Sequence, residues 1–338
     1  MIMHKKAQID LSIVIVNYNT KDDLTLCLNS IFRCKTDYVF EVIVVDNASS
    51  DDSVQVVRSG FPQVKIIVMD YNSGFSRANN VGIKASDGEY VLLLNSDTLF
   101  FENTIQDFIS QFSTLPNCVA AGCQLLNPDG TWQYSGGKVD KGFRWVTSIP
   151  YYGTLLGKIL GKSDVINSPD KIEKVDWIIG AFLCIKREAL NKVGLMDEEF
   201  FLYAEEMEFC HRLAKIGDLY LLNDIKIIHT LGASSDKAFE GSKNDRLLIH
   251  TPKEQQRVLS LLLFRYKSFG KFDAFMYLLH FILGGLIYCP LRSFVGFIRK
   301  KESKQIANEV KSYCKNLSVW IKHYRIMLRE KPYFYKVL

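Results

Sequence analysis

A chain of 338 residues is long enough for one large domain or two smaller ones, and a hydrophobic fraction of 48% is that of a protein with an ordinary buried core. The net charge of +5 conceals a division: residues 251–338 hold 17 Lys or Arg against 5 Asp or Glu, a net +12, which leaves −7 on residues 1–250. A mildly acidic first part and a strongly basic end imply two regions with different partners, nucleic acid not expected among them.

The opening stretch MIMHKKAQID has no apolar run of secretory type, so no signal peptide is expected. The cysteines Cys27, Cys34, Cys118, Cys123, Cys184, Cys210, Cys289 and Cys314 have neither CxxC nor metal-finger spacing. They read as small core residues in a reducing compartment.

Residues 11–16 (LSIVIV) form a short β-branched run without polar alternation, and 41–45, 65–69 and 90–94 repeat it. Such runs fit strands buried on both faces. Between them, 20–32 places Leu24, Cys27, Leu28 and Ile31 on one helical stripe. Residues 50–58 begin with capping residues and continue through Val54 and Val57, and 75–85 is a third helix. The order β-α-β-α-β-α-β predicts a parallel, helix-covered sheet. Ligands bind such sheets beyond the carboxyl ends of the strands. Here those ends read Asn17-Tyr18-Asn19, Asp46-Asn47 and Asn95-Ser96-Asp97. No GxGxxG or GxxxxGK[ST] follows a strand, which argues against a dinucleotide or P-loop site.

From residue 118 the pattern loosens, and 122–170 reads as loops and short antiparallel strands. Residues 177–185 (WIIGAFLCI) are a buried run interrupted by Gly180. A helix is expected over 204–215, ended by Gly217, and a strand pair over 220–229. Residues 274–291 carry no formal charge. After them come Arg292, Arg299, Lys300 and Lys301, then an apolar helical stripe of Ile306, Val310, Tyr313, Leu317, Trp320, Tyr324 and Met327.

The segments VNYN, VVDNASSDDS, NSGFSRANNVGI, VLLLNSDT, WIIGAF, FFLYAEEMEFCHRL and IHTLGASS, in this order and spacing, resemble the family 2 glycosyltransferases of GT-A fold, especially bacterial rhamnosyltransferase-like members. The resemblance covers residues 10–235, about two thirds of the chain. It implies an α/β GT-A domain at 1–250, Rossmann-like with a mostly parallel sheet flanked by helices; the charge and apolar pattern of 251–338 add a helical, membrane-facing tail. It also implies an inverting transfer from dTDP-rhamnose or a UDP-sugar, assisted by Mg2+ or Mn2+. The acceptor would be a hydroxyl of a glycan or lipid-linked glycan in cell-surface polysaccharide synthesis.

By that resemblance Asp46 reads the base, as a carboxylate accepting from a uracil- or thymine-type N–H. Its other reading is an N-cap for the helix near Ser50, in competition with Asn47 and Ser49. Asn17 and Tyr18 would wall the nucleotide, whereas Asn19 walls it or serves the turn. Gly74 and Phe75 open a helix beside the nucleotide; Gly74 permits positive φ or close ligand approach, and a helix N-terminus favours phosphate. Arg77 is a diphosphate contact or a solvated arginine, and Asn80 is expected to be fixed in the site.

Asn95-Ser96-Asp97 takes the place of the family's DxD motif, with Asp97 as metal ligand and Asn95 leaving one fewer negative charge. A helix cap is the other reading of Asp97. His229 has three readings: metal ligand, phosphate contact or loop packing. Glu205 and Glu206 match the family's catalytic acidic pair, with Glu206 as base, although the helix dipole alone accounts for acids there. Gly180 would border the donor sugar and acceptor.

A sugar nucleotidyltransferase would need a Gly- and Arg/Lys-rich loop where VNYNTKDD stands, and a non-catalytic scaffold would have lost the acids. The tail is expected to bind an anionic membrane surface peripherally at the cytoplasmic face, the alternative being a helical bundle or homodimer contact in a cytoplasmic protein.

Overall fold

The computed structural model describes residues 8–139, 171–230, 252–298 and 303–336. They fall into two compact units. The first holds 8–139, 171–198 and 206–230; the second holds 199–205, 252–298 and 303–336.

In the first unit β1 (Leu11–Asn17), α1 (Lys21–Phe32), β2 (Phe40–Asp46), α2 (Ser53–Gly60), β3 (Lys65–Val68), α3 (Phe75–Lys84) and β4 (Tyr90–Asn95) follow the expected alternation. After β5 (Thr98–Leu99) and α4 (Thr104–Thr114) come β6 (Cys118–Leu126), β7 (Gly136–Gly137), β8 (Ile172–Val175), β9 (Trp177–Ile178) and β10 (Phe182–Lys186). Then α5 (Arg187–Val193), α6 (Glu205–Leu213) and β11 (Asp218–His229) complete the series.

The main sheet runs β3-β2-β1-β4-β10-β6-β11-β5, with β8 on β11, and β7 pairs β9 separately. Strands β3, β2, β1 and β4 are parallel, whereas β10 runs antiparallel between β4 and β6. The sheet is therefore mostly parallel only in its first half. Strand order reverses around β1, because successive crossovers lead outward to β3 and then back to β4 on its other side. Such a reversal opens a crevice at the carboxyl ends.

Alternate residues of β1 enter different cores, which is why its sequence shows no polar alternation. Leu11, Ile13 and Ile15 pack with Leu24, Leu28, Ile31, Phe108 and Phe112. Val14 packs with Ile83, Phe209 and Leu213 on the other face. Five cysteines, Cys27, Cys118, Cys123, Cys184 and Cys210, are buried free thiols, as expected of core residues, whereas Cys34 is half-buried and Cys314 exposed. Burial pushes the Cys27, Cys118 and Cys210 thiols up to about 12.

Helix α3 lies close on β1 and β2 because residue 82 is glycine. A Cβ there would stand 2.2 Å from Val14 Cγ1 and 3.2 Å from Val45 Cγ2. Val14 is a β-branched side chain in the sheet centre and has little room to turn. Gly82→Ala is therefore expected to destabilise the fold by roughly 1–3 kcal/mol, the usual scale of overpacking. Denaturant unfolding checks this, and an unchanged midpoint would contradict it.

Two expected elements differ. The strand pair over 220–229 is one strand, β11, whose register on β6 jumps between Leu222 and Lys226. Asn223-Asp224 resembles a turn in sequence, but the sheet absorbs it as an irregularity, and Asn223 N–H donates to Lys171 O at 2.7 Å. The loosening expected from 118 onward begins later, because β6 runs from Cys118 through Gly122 to Leu126.

The second unit is built on α7 (Pro252–Phe269), α8 (Lys271–Ile298) and α9 (Ser303–Met327). Gly270, at φ 93°, makes the left-handed break between α7 and α8. Of the α9 stripe that sequence reading offered to a membrane, Tyr313, Trp320 and Met327 are core, whereas Val310, Leu317 and Tyr324 are half-buried. Trp320 is fully buried, 5.0 Å from the Phe281 ring, and Tyr313 donates its hydroxyl to Phe281 O at 2.6 Å. Met327 is also buried. Ile306, in the same stripe, lies outside the described side chains.

The unit also takes in 199–205, read from sequence as part of the first domain. Phe200 bridges Tyr335, Phe201 meets Phe334 edge-on, and Leu202 O accepts from Ser260. Among the described residues no helix is long and apolar enough to cross a membrane.

Candidate active site

The site is assembled by register. Asn17 pairs with Asp46, and Val16 with Asn95, so the ends of β2, β1 and β4 stand side by side. Asn17 Nδ2 donates to Asp46 Oδ1 at 2.9 Å and to Ser49 Oγ at 3.1 Å. Its Oδ1 accepts from Thr20 Oγ1 at 2.6 Å, and that hydroxyl also meets Ser96 Oγ at 2.9 Å. Thr20 and Ser49, which sequence reading did not assign to the site, thus join the three loops.

Asp46 does not cap α2. The N-cap is Asp52, and Ser53 N–H donates to Asp51. Asp46 Oδ2 instead accepts from Ser49 N–H at 2.9 Å, which orients a buried carboxylate whose remaining lone pairs suit a further donor. Asn19 is held at φ 55° with its Oδ1 accepting from Ser50 N–H, a turn role. Tyr18 beside it is half-buried.

Asn47 stitches the next loop. Its Oδ1 accepts from Ser73 N–H at 2.9 Å and its Nδ2 donates to Asn72 Oδ1 at 3.0 Å. Gly74, at φ 86°, is the N-cap of α3, and Phe75 is its first residue. Arg77 and Asn80 both reach toward residues 196–198. Arg77 Nε lies 3.9 Å from Glu198 Oε2. Asn80 is buried, donates to Met196 O and Glu198 Oε1, and accepts from Met196 N–H. Its amide is a clamp between α3 and that loop, so the side chain is held fixed.

The metal candidate Asp97 directly precedes β5. Thr98 pairs with His229 and Leu99 with Ile228, which brings the end of β11 against Asp97. His229 Nε2 lies 3.3 Å from Asp97 Oδ1 and 3.3 Å from Asn95 Nδ2, and both Asp97 and His229 are buried. Asp97 caps no helix, since α4 has Asn103 at its N-cap.

Among the described residues no three His, Cys, Asp or Glu side chains cluster as a metal cage. One carboxylate and one imidazole nevertheless fit a hard cation that shares its coordination with substrate phosphates. Their 3.3 Å separation is close to that of adjacent ligands on an octahedral ion, about 3 Å for bonds of about 2.1 Å.

The acid candidates lie at the start of α6. Glu208 is engaged by Arg212, with Nε at 2.8 Å and Nη2 at 2.9 Å, while Arg212 also donates to Val193 O and Leu195 O. Glu208 is thus a structural anchor. Glu205 is buried. Glu206 is half-buried, and desolvation pushes its carboxyl up to about 7. A Cβ on Gly180 would stand 3.7 Å from Glu206 Cβ and 3.5 Å from Phe75 Cε1, so these three residues are neighbours. The next residue, Ala181, accepts from Asn95 N–H at 3.1 Å, which links Gly180 to the end of β4.

The sequence profile described as glycosyl transferase family 2 matches residues 12–175, the stretch that carries Asn17, Asp46, Asn95 and Asp97. The chain carries a family 2 glycosyltransferase domain. It is 29% identical over 209 residues to a low-salt glycan biosynthesis hexosyltransferase of Haloferax volcanii, covering 60% of this chain and 61% of that one. It is 24% identical over 221 residues to the N-acetylglucosaminyl-diphospho-decaprenol L-rhamnosyltransferase of Mycobacterium tuberculosis, covering 61% of this chain and 71% of that one. The match thus spans about three fifths of the archaeal relative's length. The family 2 domain also shares its fold with GalNAc-T7, solved with UDP, GalNAc and Mn2+: the TM-score is 0.50 at 18% identity, over 67% of this chain and 44% of that one.

Proposed function

We propose that the protein is an inverting glycosyltransferase, moving a sugar from dTDP-rhamnose or a UDP-sugar to a hydroxyl of a glycan or lipid-linked glycan in cell-surface polysaccharide synthesis. The observation that carries this is the convergence of Asp97 and His229 within 3.3 Å at the strand ends that also bear Asn17 and Asp46. The names of the two relatives, a glycan hexosyltransferase and a rhamnosyltransferase of a diphospho-decaprenol-linked sugar, support the acceptor class. The UDP and Mn2+ of GalNAc-T7 support the donor and cation classes.

In this reading Asp46 and Asn17 receive the base, and Asp97 with His229 holds Mg2+ or Mn2+. Such a cation neutralises charge on a departing diphosphate. Glu206 accepts the proton of the acceptor hydroxyl as that oxygen bonds to the anomeric carbon and the carbon–oxygen bond to the diphosphate breaks. Gly180 leaves the space beside Glu206 open for the sugar or acceptor.

A thermal-shift screen of UDP-, dTDP- and GDP-sugars, with and without Mn2+, tests the reading. Stabilisation by a UDP- or dTDP-sugar that grows with Mn2+ is expected, about 2.7 kcal/mol at a hundred times Kd. No response to any of them would count against it.

The proposal includes peripheral attachment at the cytoplasmic face of the cell membrane, now through α8 rather than the α9 stripe. Phe272, Phe275, Leu283 and Leu286 are 75%, 43%, 49% and 69% exposed. At about 100° per residue they fall within an arc of about 80°. The net +12 of residues 251–338 complements anionic lipid. The protein is expected to float with anionic vesicles at low salt, and Phe272→Asp with Leu286→Asp to leave it at the bottom of the gradient. A wild-type protein that stays at the bottom, or that dimerises through this face, would contradict the attachment.

A further inference from the structure

Gln133 belongs to no motif and fell in the stretch read as loops. It is placed by a tight turn after β6. Asn127 N–H donates to Thr131 O, Leu126 bridges Trp132, and Gln133 N–H donates to Leu125 O. The returning chain thereby runs beside the end of β11, and the Gln133 side chain is buried there.

The amide has only one chemically sound orientation. Three oxygens face one end of it: His229 O at 2.5 Å, Asn127 Oδ1 at 2.8 Å and Leu126 O at 3.3 Å. An amide oxygen there would meet only acceptors, so that end is the NH2 group. The other end, Oε1, lies 3.0 Å from His229 Nδ1. Oε1 has no hydrogen, so Nδ1 must carry one. In the neutral ring Nε2 is then a bare lone pair. That lone pair lies 3.3 Å from the Asp97 carboxylate, an arrangement that repels unless a cation stands between them. Asn95 Nδ2, also 3.3 Å away, can donate to Nε2 in the cation's place.

We infer that Gln133 is a positioning residue that holds His229 in its Nδ1–H tautomer and so keeps Nε2 available as a ligand beside Asp97. The inference rests on Asp97 and His229 as the cation's ligands. Partners of this kind fix ring orientation and ligand basicity, and their loss typically costs about 10–100-fold in metal affinity.

The test uses the full chain labelled with 15N-histidine. Without metal at neutral pH, nitrogen NMR of the wild-type protein is expected to find the His229 proton on Nδ1; a proton on Nε2 alone overturns the inference whatever the variants do. Mn2+ binding in the presence of UDP is then measured by the EPR signal of free Mn2+. Gln133→Leu, checked for folding by circular dichroism, is expected to bind Mn2+ about 10–100-fold more weakly. A purely structural Gln133 would leave the affinity of folded Gln133→Leu unchanged, and that result overturns the inference. His229→Ala separates the two levels. If His229→Ala is impaired while Gln133→Leu is normal, only the role of Gln133 falls; if His229→Ala is normal, the ligand assignment falls with it.

Discussion

Asp97→Ala is expected to lower transfer by about 10²-fold or more and to abolish metal-dependent nucleotide binding, because charge neutralisation by a bound cation supplies several kcal/mol. The carboxylate lies at the edge of the sheet, within 3.3 Å of His229. It is absent from the hydrophobic clusters on either face, so its loss should spare the fold. His229 remains as one neutral ligand, and Asn95 brings no charge to replace the missing one. Turnover with and without added Mn2+, alongside an unfolding midpoint, reads both parts. A variant with near-normal turnover in excess EDTA would contradict the metal-assisted site.

Glu206→Gln is expected to lower turnover by about 10²–10⁴-fold, the scale of general base catalysis, with donor binding little changed. The amide keeps the size of the side chain and removes its basicity. The wild-type pH profile gives an independent check. Desolvation raises the Glu206 carboxyl to about 7, so the group is protonated below that pH and ionised above it. Since the base must be ionised, turnover should fall as pH drops through about 7, instead of near the ordinary carboxylate value of about 4.3. The Gln variant should lose this limb.

Neighbouring acids on α6 point about 100° apart, so Glu205 and Glu206 cannot face one acceptor equally well. Glu208 is occupied by Arg212. An inactive Glu205→Gln beside an active Glu206→Gln would show that the register is wrong.

The strand ends were legible in the sequence because parallel strands buried on both faces read as unbroken apolar runs, and their polar stops stand out. Asn17, Asp46 and Asn95 needed only the topology to become neighbours. The second half was harder. Asn223-Asp224 has turn chemistry, yet β11 passes through it because pairing with β6 resumes at Lys226. Asn80 is fixed by Met196 and Glu198, more than a hundred positions away, which no local pattern announces. Gln133 left no local signal, since its role depends on the backbone and ring of His229 across 96 positions. On α9, amphipathic spacing was read correctly as a face, but a pattern of that kind fits lipid and a neighbouring helix alike. Tyr313 and Trp320 of that face pack into the helix bundle.

The central claim is transfer of a sugar from a nucleoside-diphosphate donor. The most direct measurement incubates the protein with Mn2+, a UDP- or dTDP-sugar and a lipid-linked glycan acceptor, then identifies the small product by chromatography. Release of nucleoside diphosphate with extension of the acceptor by one sugar is the expected result. Release of pyrophosphate, or no turnover of any nucleotide-sugar despite a folded protein, would contradict it.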